Sequence, residues 1–169
     1  MYKKYILISG TGQNTGKTLL VCSIVKKFQY LKPIYLKIST HFHTKTSGLT
    51  TIFETENFKI FEETDAIGIK DTQRTLNAGA YKSFYIQTYE NYALDAFHLF
   101  IENLNSQNPV LIESNVLASK IASIMKIIMT GGTKKIEDSN SIFLHQTKID
   151  EFTEKLEFKK DTFFIKNKS

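Results

Sequence analysis

A single cysteine in 169 residues excludes an internal disulfide, and no cysteine–histidine group has the spacing of a zinc site. That usage fits a reducing compartment, so a cytoplasmic protein is expected. No run approaches the ~18 consecutive apolar residues of a spanning helix, so no membrane is expected. The basic start Met1-Tyr-Lys-Lys-Tyr5 is followed only by Ile6-Leu-Ile8 before Ser9-Gly10. An export signal needs an apolar region of ~7–15 residues there. Repeats, low-complexity linkers and a basic recognition run are missing too, and the lysines are scattered, so no nucleic-acid partner is expected. What is present is ordinary for a globular protein: 41% hydrophobic and 23% charged residues, too apolar for disorder. One domain over residues 1–169 is expected, large enough to bury a core without a staple. The formal net charge of +5 points to anionic partners without naming them.

Short β-branched or aromatic runs alternate with stretches of helical period. Strands are predicted at Tyr5–Ser9, Ile34–Ile38, Ser83–Gln87, Pro109–Glu113, Lys126–Met129, Ser141–His145 and Thr162–Ile165. Helices are predicted at 16–31, with Leu19, Leu20, Ile24, Val25 and Phe28 inward, and at 71–78, capped by Asp71 and stopped by Gly79. Further helices are predicted at 92–104, 116–123 and 149–156. The polar stretch Thr40–Lys70 has no clear assignment and is long for a connection. The alternation predicts an α/β fold of three layers, a mostly parallel sheet with helices on both faces, and ligands at the carboxyl ends of its strands.

The first strand runs into Gly10-Thr-Gly-Gln-Asn-Thr-Gly-Lys-Thr18 and then a helix. Glycines let backbone N–H groups turn toward phosphate oxygens, and the helix N-terminus adds its positive dipole end. Lys17 can reach the β- and γ-phosphates, and the Thr18 hydroxyl can ligate Mg²⁺. The pattern G-x-x-x-x-G-K-[ST] lacks its first glycine, because Thr11 holds that place between Gly10 and Gly12. Gly10, Thr11, Gly12, Gln13, Asn14, Thr15, Gly16, Lys17 and Thr18 are the candidate nucleotide-binding residues.

With five residues between Gly10 and Gly16-Lys-Thr18, the loop resembles that of dethiobiotin synthetases. It points to the P-loop NTPase branch shared with signal-recognition-particle GTPases and the molybdopterin-guanine dinucleotide biosynthesis protein B family. Three segments resemble the last family most: Ile34-Tyr-Leu-Lys-Ile-Ser-Thr-His-Phe-His43, Lys70-Asp-Thr-Gln-Arg-Thr-Leu-Asn-Ala-Gly-Ala80 and Val110-Leu-Ile-Glu113. Ser114-Asn115 departs from it, standing where the family has a glycine. The resemblance implies a P-loop NTPase fold, bound Mg²⁺, GTP (or ATP) as nucleotide, and slow GTPase activity accessory to molybdenum-cofactor assembly. A molybdenum-cofactor protein would be the partner.

Under that resemblance Glu113 holds Mg²⁺ opposite Thr18; as a plain strand-end acid it would pair with a lysine. Lys37, the lone charge in its strand, would stand near substrate or the γ-phosphate, or else point to water from an edge strand. Lys17, Lys37 and Glu113 are thus the candidate catalytic residues. Asp71, with Thr72 and Arg74, is either a helix cap or a residue of the crevice. His41 and His43 alternate along an extended segment and would face the same way, toward substrate or phosphate. His98 is expected packed or at an interface, His145 is unassigned, and Cys22 is expected to be a buried, inert thiol. Thr147-Lys148-Ile-Asp150 resembles the guanine motif of GTPases, in which a carboxylate accepts from guanine N1–H and the exocyclic amine. Exposed sheet edges and phenylalanines such as Phe58 and Phe61 leave a homodimer open. Two rival functions are an ATP-dependent carboxylase like dethiobiotin synthetase and a regulatory protein that binds nucleotide without turnover.

Overall fold

The computed structural model describes residues 4–121 and 124–166. Strand β1 (Tyr5–Gly10) is buried along its whole length and passes through the glycine loop into helix α1 (Lys17–Lys27). There follow β2 (Ile34–Ser39), β3 (Leu49–Glu54), β4 (Phe58–Glu63), α2 (Asp71–Asn77), β5 (Lys82–Thr88) and α3 (Ala93–Asn103). Then come β6 (Val110–Glu113), β7 (Met125–Thr130), β8 (Ser141–His145), α4 (Ile149–Lys155), β9 (Leu156–Lys159) and β10 (Thr162–Ile165). Eight strands form one sheet in the order β3-β4-β5-β2-β6-β1-β7-β8. The six from β5 to β8 are parallel, and β4 and β3 extend the sheet as an antiparallel hairpin.

Helices cover both faces, because a central strand buried on two sides must be apolar at every position. In β1, Ile6 and Ile8 join α1 and α4 in one core, while Leu7 joins α3 in the other. The register sets Ile8 beside Glu113 and Glu113 beside Lys37. The carboxyl ends of β1, β6 and β2 therefore meet in one row, under the loop that leaves β1.

The α/β alternation expected from the sequence is present, with several corrections. The first helix stops at Lys27 and continues as a 3₁₀ turn, Gln29–Leu31. Its inner face carries Leu20, Val21, Ile24 and Val25, whereas Leu19 is 51% exposed. The stretch 40–70 holds the β3–β4 hairpin, turned at Thr55, whose hydroxyl accepts from the Asn57 and Phe58 amides (3.2 and 3.1 Å). Phe58 and Phe61 are buried in that hairpin, not exposed. No helix forms over residues 116–121; the rest of that predicted helix lies outside the described residues. Thr162–Ile165 does not enter the sheet but pairs with β9 through Lys160 and Asp161, both at positive φ (51° and 55°). Asp71 is the first residue of α2, and Lys70 occupies its N-cap position. Among the described residues no helix is long and apolar enough to cross a membrane.

Candidate functional site

The site begins where β1 ends. Gly10 has no room for a side chain, since a Cβ there would lie 2.5 Å from Thr15 Oγ1 and about as close to the Lys17 stem as packing allows (3.2 Å). Lys17 Nζ donates to the Gly12 carbonyl at 2.8 Å, folding the ammonium over the loop. Burial lowers the Lys17 pKa, partly countered by the charge of Glu113. At the head of α1, Gly16 takes the N-cap position without a side-chain cap, in keeping with a helix start whose amides serve a ligand.

On the β2–β6 flank, charged side chains interlock. The Thr18 hydroxyl lies 2.9 Å from Asp71 Oδ1 and 3.1 Å from Glu113 Oε2. Glu113 is 5% exposed, and its Oε2 also accepts from the Tyr35 hydroxyl at 2.8 Å; Tyr35 is wholly buried. Lys37 Nζ donates to Asp71 Oδ2 and stands 3.8 Å from Glu113 Oε1. Arg74 approaches Asp71 at 3.8 Å from the next turn of α2. Burial alone would pull Lys37 down and push Asp71 up, but each moves the other way. The charge of Glu113 and the hydrogen bond to Asp71 raise Lys37, and the bond and charge of Lys37 lower Asp71. Burial and Glu113 push the Tyr35 phenol well above its ordinary value.

One hydroxyl and two carboxylates are hard oxygen donors of the kind Mg²⁺ accepts when phosphates and waters complete its shell. Among the described residues no group of three His, Cys, Asp or Glu side chains could hold a metal by itself. The donor set therefore suits a shared site better than a closed metal centre.

On the β7–β8 flank the loop is held mainly through backbone. The Thr11 amide and hydroxyl both donate to the Met129 carbonyl (3.0 and 3.3 Å). The same hydroxyl accepts from the Gly132 amide at 2.8 Å, and the Thr11 carbonyl accepts from the Lys134 amide at 2.9 Å. A Cβ on Gly132 would fall 2.4 Å from the Thr11 carbonyl oxygen. Thr11, in the place of the missing glycine, thus latches the segment after β7 to the loop after β1. From β6, Asn115 Oδ1 accepts from the Gly10 amide at 2.9 Å, so this departure from the resembled family also holds the loop.

A cleft of about 790 Å³ runs from Gln13–Leu19 past Lys37, Asp71 and Glu113 to His41 and His43. The structure thus brings Lys17, Thr18, Lys37 and Glu113 together and adds Asp71. Thr147, Lys148 and Asp150 do not line this cleft: Thr147 bonds with the His145 ring at 3.0 Å, Lys148 pairs with Glu151 at 3.3 Å, and Asp150 is exposed on α4. Their neighbour Gln146 does line it. His98 is exposed on α3 rather than packed in the core, and Cys22 is half-buried, its thiol pKa raised by burial. A second cleft of equal volume lies at the amino ends of β2 and β5, where Lys82 pairs with Glu62 and Lys32 stands over Tyr81. Its one acid among the described lining residues pairs with Lys82, and Lys32 is engaged with a ring.

Tyr35 and Asn115 were not anticipated. Tyr35 had a signal: a hydroxyl between Ile34 and Leu36 in a buried stretch of strand requires a partner. Asn115 had none, since its partner is 105 residues away. No protein-family model, no curated protein and no solved structure matches the chain.

Proposed function

We propose that the chain is a P-loop protein that binds a nucleoside triphosphate with Mg²⁺ at the loop Gly10–Thr18 and hydrolyses it slowly. The observation that carries this reading is the Thr18 hydroxyl, set between Asp71 and Glu113 at the head of the helix that follows the glycine loop. Thr18 and Glu113, with Asp71 beside them, would hold the metal, which when bound supplies charge neutralisation at the β- and γ-phosphates. Lys17 and the loop amides bind the phosphates and stabilise charge as it develops on them. Tyr35 keeps Glu113 oriented by donating to it, and Lys37 stands where the terminal phosphate would lie.

The choice of guanine is proposed from Thr147, Lys148 and Asp150, which follow β8 next to Gln146 at the cleft. An accessory role in building molybdopterin guanine dinucleotide, with a molybdenum-cofactor protein as partner, rests on the resemblance alone. Calorimetric titration with GTP and with ATP, each with Mg²⁺, tests the reading. GTP is expected to bind more tightly, and Asp150→Ala to abolish the difference. Equal affinities in the wild type would remove the guanine assignment. No binding of either nucleotide would remove the whole reading.

A further inference from the structure

The cleft continues past Lys37. After β2 the chain bends at Thr40–His41 and runs without regular structure to Thr46. The bend is tied to its neighbours: the Tyr85 hydroxyl donates to the His41 carbonyl (3.5 Å), Gln87 Nε2 to the His43 carbonyl (2.9 Å), and the His41 amide to Ser39 Oγ (3.1 Å). Between the two histidines Phe42 turns the other way, its ring 4.9 Å from that of Tyr89. His41 and His43 are thereby held on the cleft side, with ring centroids 6.4 Å apart. Lys70 and Arg74, from the start of α2, line the same cleft. Its only acids among the described lining residues are Asp71 and Glu113, which are taken up by Thr18, Lys37 and Tyr35, with Arg74 at the margin of Asp71 (3.8 Å). The outer compartment therefore presents Lys70, Arg74 and two imidazoles against a single carboxylate, Asp71, that is already shared with Lys37 and Thr18.

We propose that this compartment binds a second substrate, a small molecule whose carboxylate or phosphate sits among His41, His43, Lys70 and Arg74. The proposal rests on the nucleotide reading above, because it places this molecule at the terminal-phosphate end of the nucleotide. A guanidinium fork and imidazole N–H groups suit either oxyanion, and the shared chemistry is that of a planar or tetrahedral group with several acceptor oxygens. His41 is four positions on from Lys37, at most about 13 Å of extended chain. The ligand's anionic end thus lies no farther than that from the end that meets the nucleotide. The cleft of about 790 Å³ includes both the loop end and this compartment.

The histidines report on the proposal directly. His98 on α3 and His145 at the end of β8 do not line the cleft, so their ring signals in proton NMR serve as references. Wild-type protein is first titrated by calorimetry with non-hydrolysable GTP and ATP analogues and Mg²⁺, which fill the terminal-phosphate position. The saturated complex is then titrated with inorganic phosphate and, separately, with acetate. The expected result is a saturable shift of the His41 and His43 signals while His98 and His145 stay still. Whichever anion acts at lower concentration distinguishes a phosphate from a carboxylate substrate. Arg74→Gln should raise the concentration needed about tenfold, the loss of one charged hydrogen bond. Analogue binding without shifts at His41 and His43, shifts at all four histidines together, or an unchanged response in Arg74→Gln would each overturn the second-substrate site alone. Failure of every analogue to bind would instead overturn the nucleotide reading, and this proposal with it.

Discussion

The glycine loop has two flanks, and they are built differently. On the β2–β6 side, side chains hold side chains: Thr18, Tyr35, Lys37, Asp71 and Glu113 form one charged network, buried at Tyr35 and Glu113 and half-buried at Lys37 and Asp71. On the β7–β8 side, backbone holds backbone, with the Thr11 hydroxyl the one side chain inserted between Met129 and Gly132. The first flank is rigid because each charge is costly to leave unpaired. The second is constrained where two segments of the chain approach too closely for a Cβ. Under the proposed function, phosphate and metal chemistry would fall to the first flank and base recognition to the second.

The sharpest way to break the contrast is Glu113→Ala. It strands the Tyr35 hydroxyl in a fully buried position and takes a counter-charge from Lys37. A loss of about 3 kcal/mol is expected, read as a lowered urea midpoint at unchanged slope. Tyr35→Phe removes one hydrogen bond and should cost about 1–2 kcal/mol. Losses that simply add in the double variant would show that the two residues do not share a network.

On the other flank the largest effect is expected from Gly132→Ala. The added Cβ meets backbone, not a flexible tip, so the segment after β7 must move away from Thr11. A loss of about 2 kcal/mol is expected, together with faster hydrogen exchange at residues 132–134. Thr11→Gly restores the strict loop pattern but removes the latch. It should cost about 1 kcal/mol and speed the same amides, leaving the exchange of β2 and β6 unchanged. Spread of that acceleration to β2 and β6 would mean that the flanks are one unit.

The two flanks also differ in how far the sequence disclosed them. Lys17, Thr18, Lys37 and Glu113 could be found because a lone charge or glycine cluster at the end of an apolar run is costly unless it has a task. Asp71 stood open between cap and crevice, and Thr18 and Lys37 draw it into the crevice. The Thr11 latch and Asn115 depend on pairs more than 100 residues apart, which no local pattern encodes. The β3–β4 hairpin was hidden because its outer strand is largely exposed and its sequence does not alternate cleanly. Leu19 misled because an apolar residue at the helix start need not share the stripe set by Leu20, Val21 and Ile24. The predicted helix is absent over residues 116–121 because a short apolar stretch does not fix its own period.

A milder perturbation is pH. Asp71 titrates below its ordinary value of 3.8 when folded, so its contribution is present above that value and lost as pH falls through the folded one. Lys37 titrates above 10.5 when folded, so its contribution is present below that value and lost as pH rises through the higher one. Between those limits the pair should be insensitive to pH. Melting temperature should therefore fall more steeply below pH 4 in the wild type than in Asp71→Asn. Parallel acid limbs in the two proteins would detach Asp71 from the network.

The smallest effect on stability is expected from Asp150→Ala, and it separates the flanks most cleanly by function. Asp150 is exposed in the first turn of α4, where a carboxylate gains a few tenths of a kcal/mol from the helix dipole. Its neighbour Glu151 carries the local ion pairs, bonding Lys155 at 2.6 Å and Lys148 at 3.3 Å, with its carboxyl held down to about 2 by those two lysines. Folding should then change by less than about 0.5 kcal/mol on removal of Asp150. Any loss of preference for GTP over ATP would come from the base alone, because the residues proposed for the metal lie on the far flank and Asp150 does not line the cleft with the loop. Triphosphate affinity that falls equally for both nucleotides would instead tie Asp150 to the loop and end the division between a charged flank for phosphate and an adjustable flank for the purine.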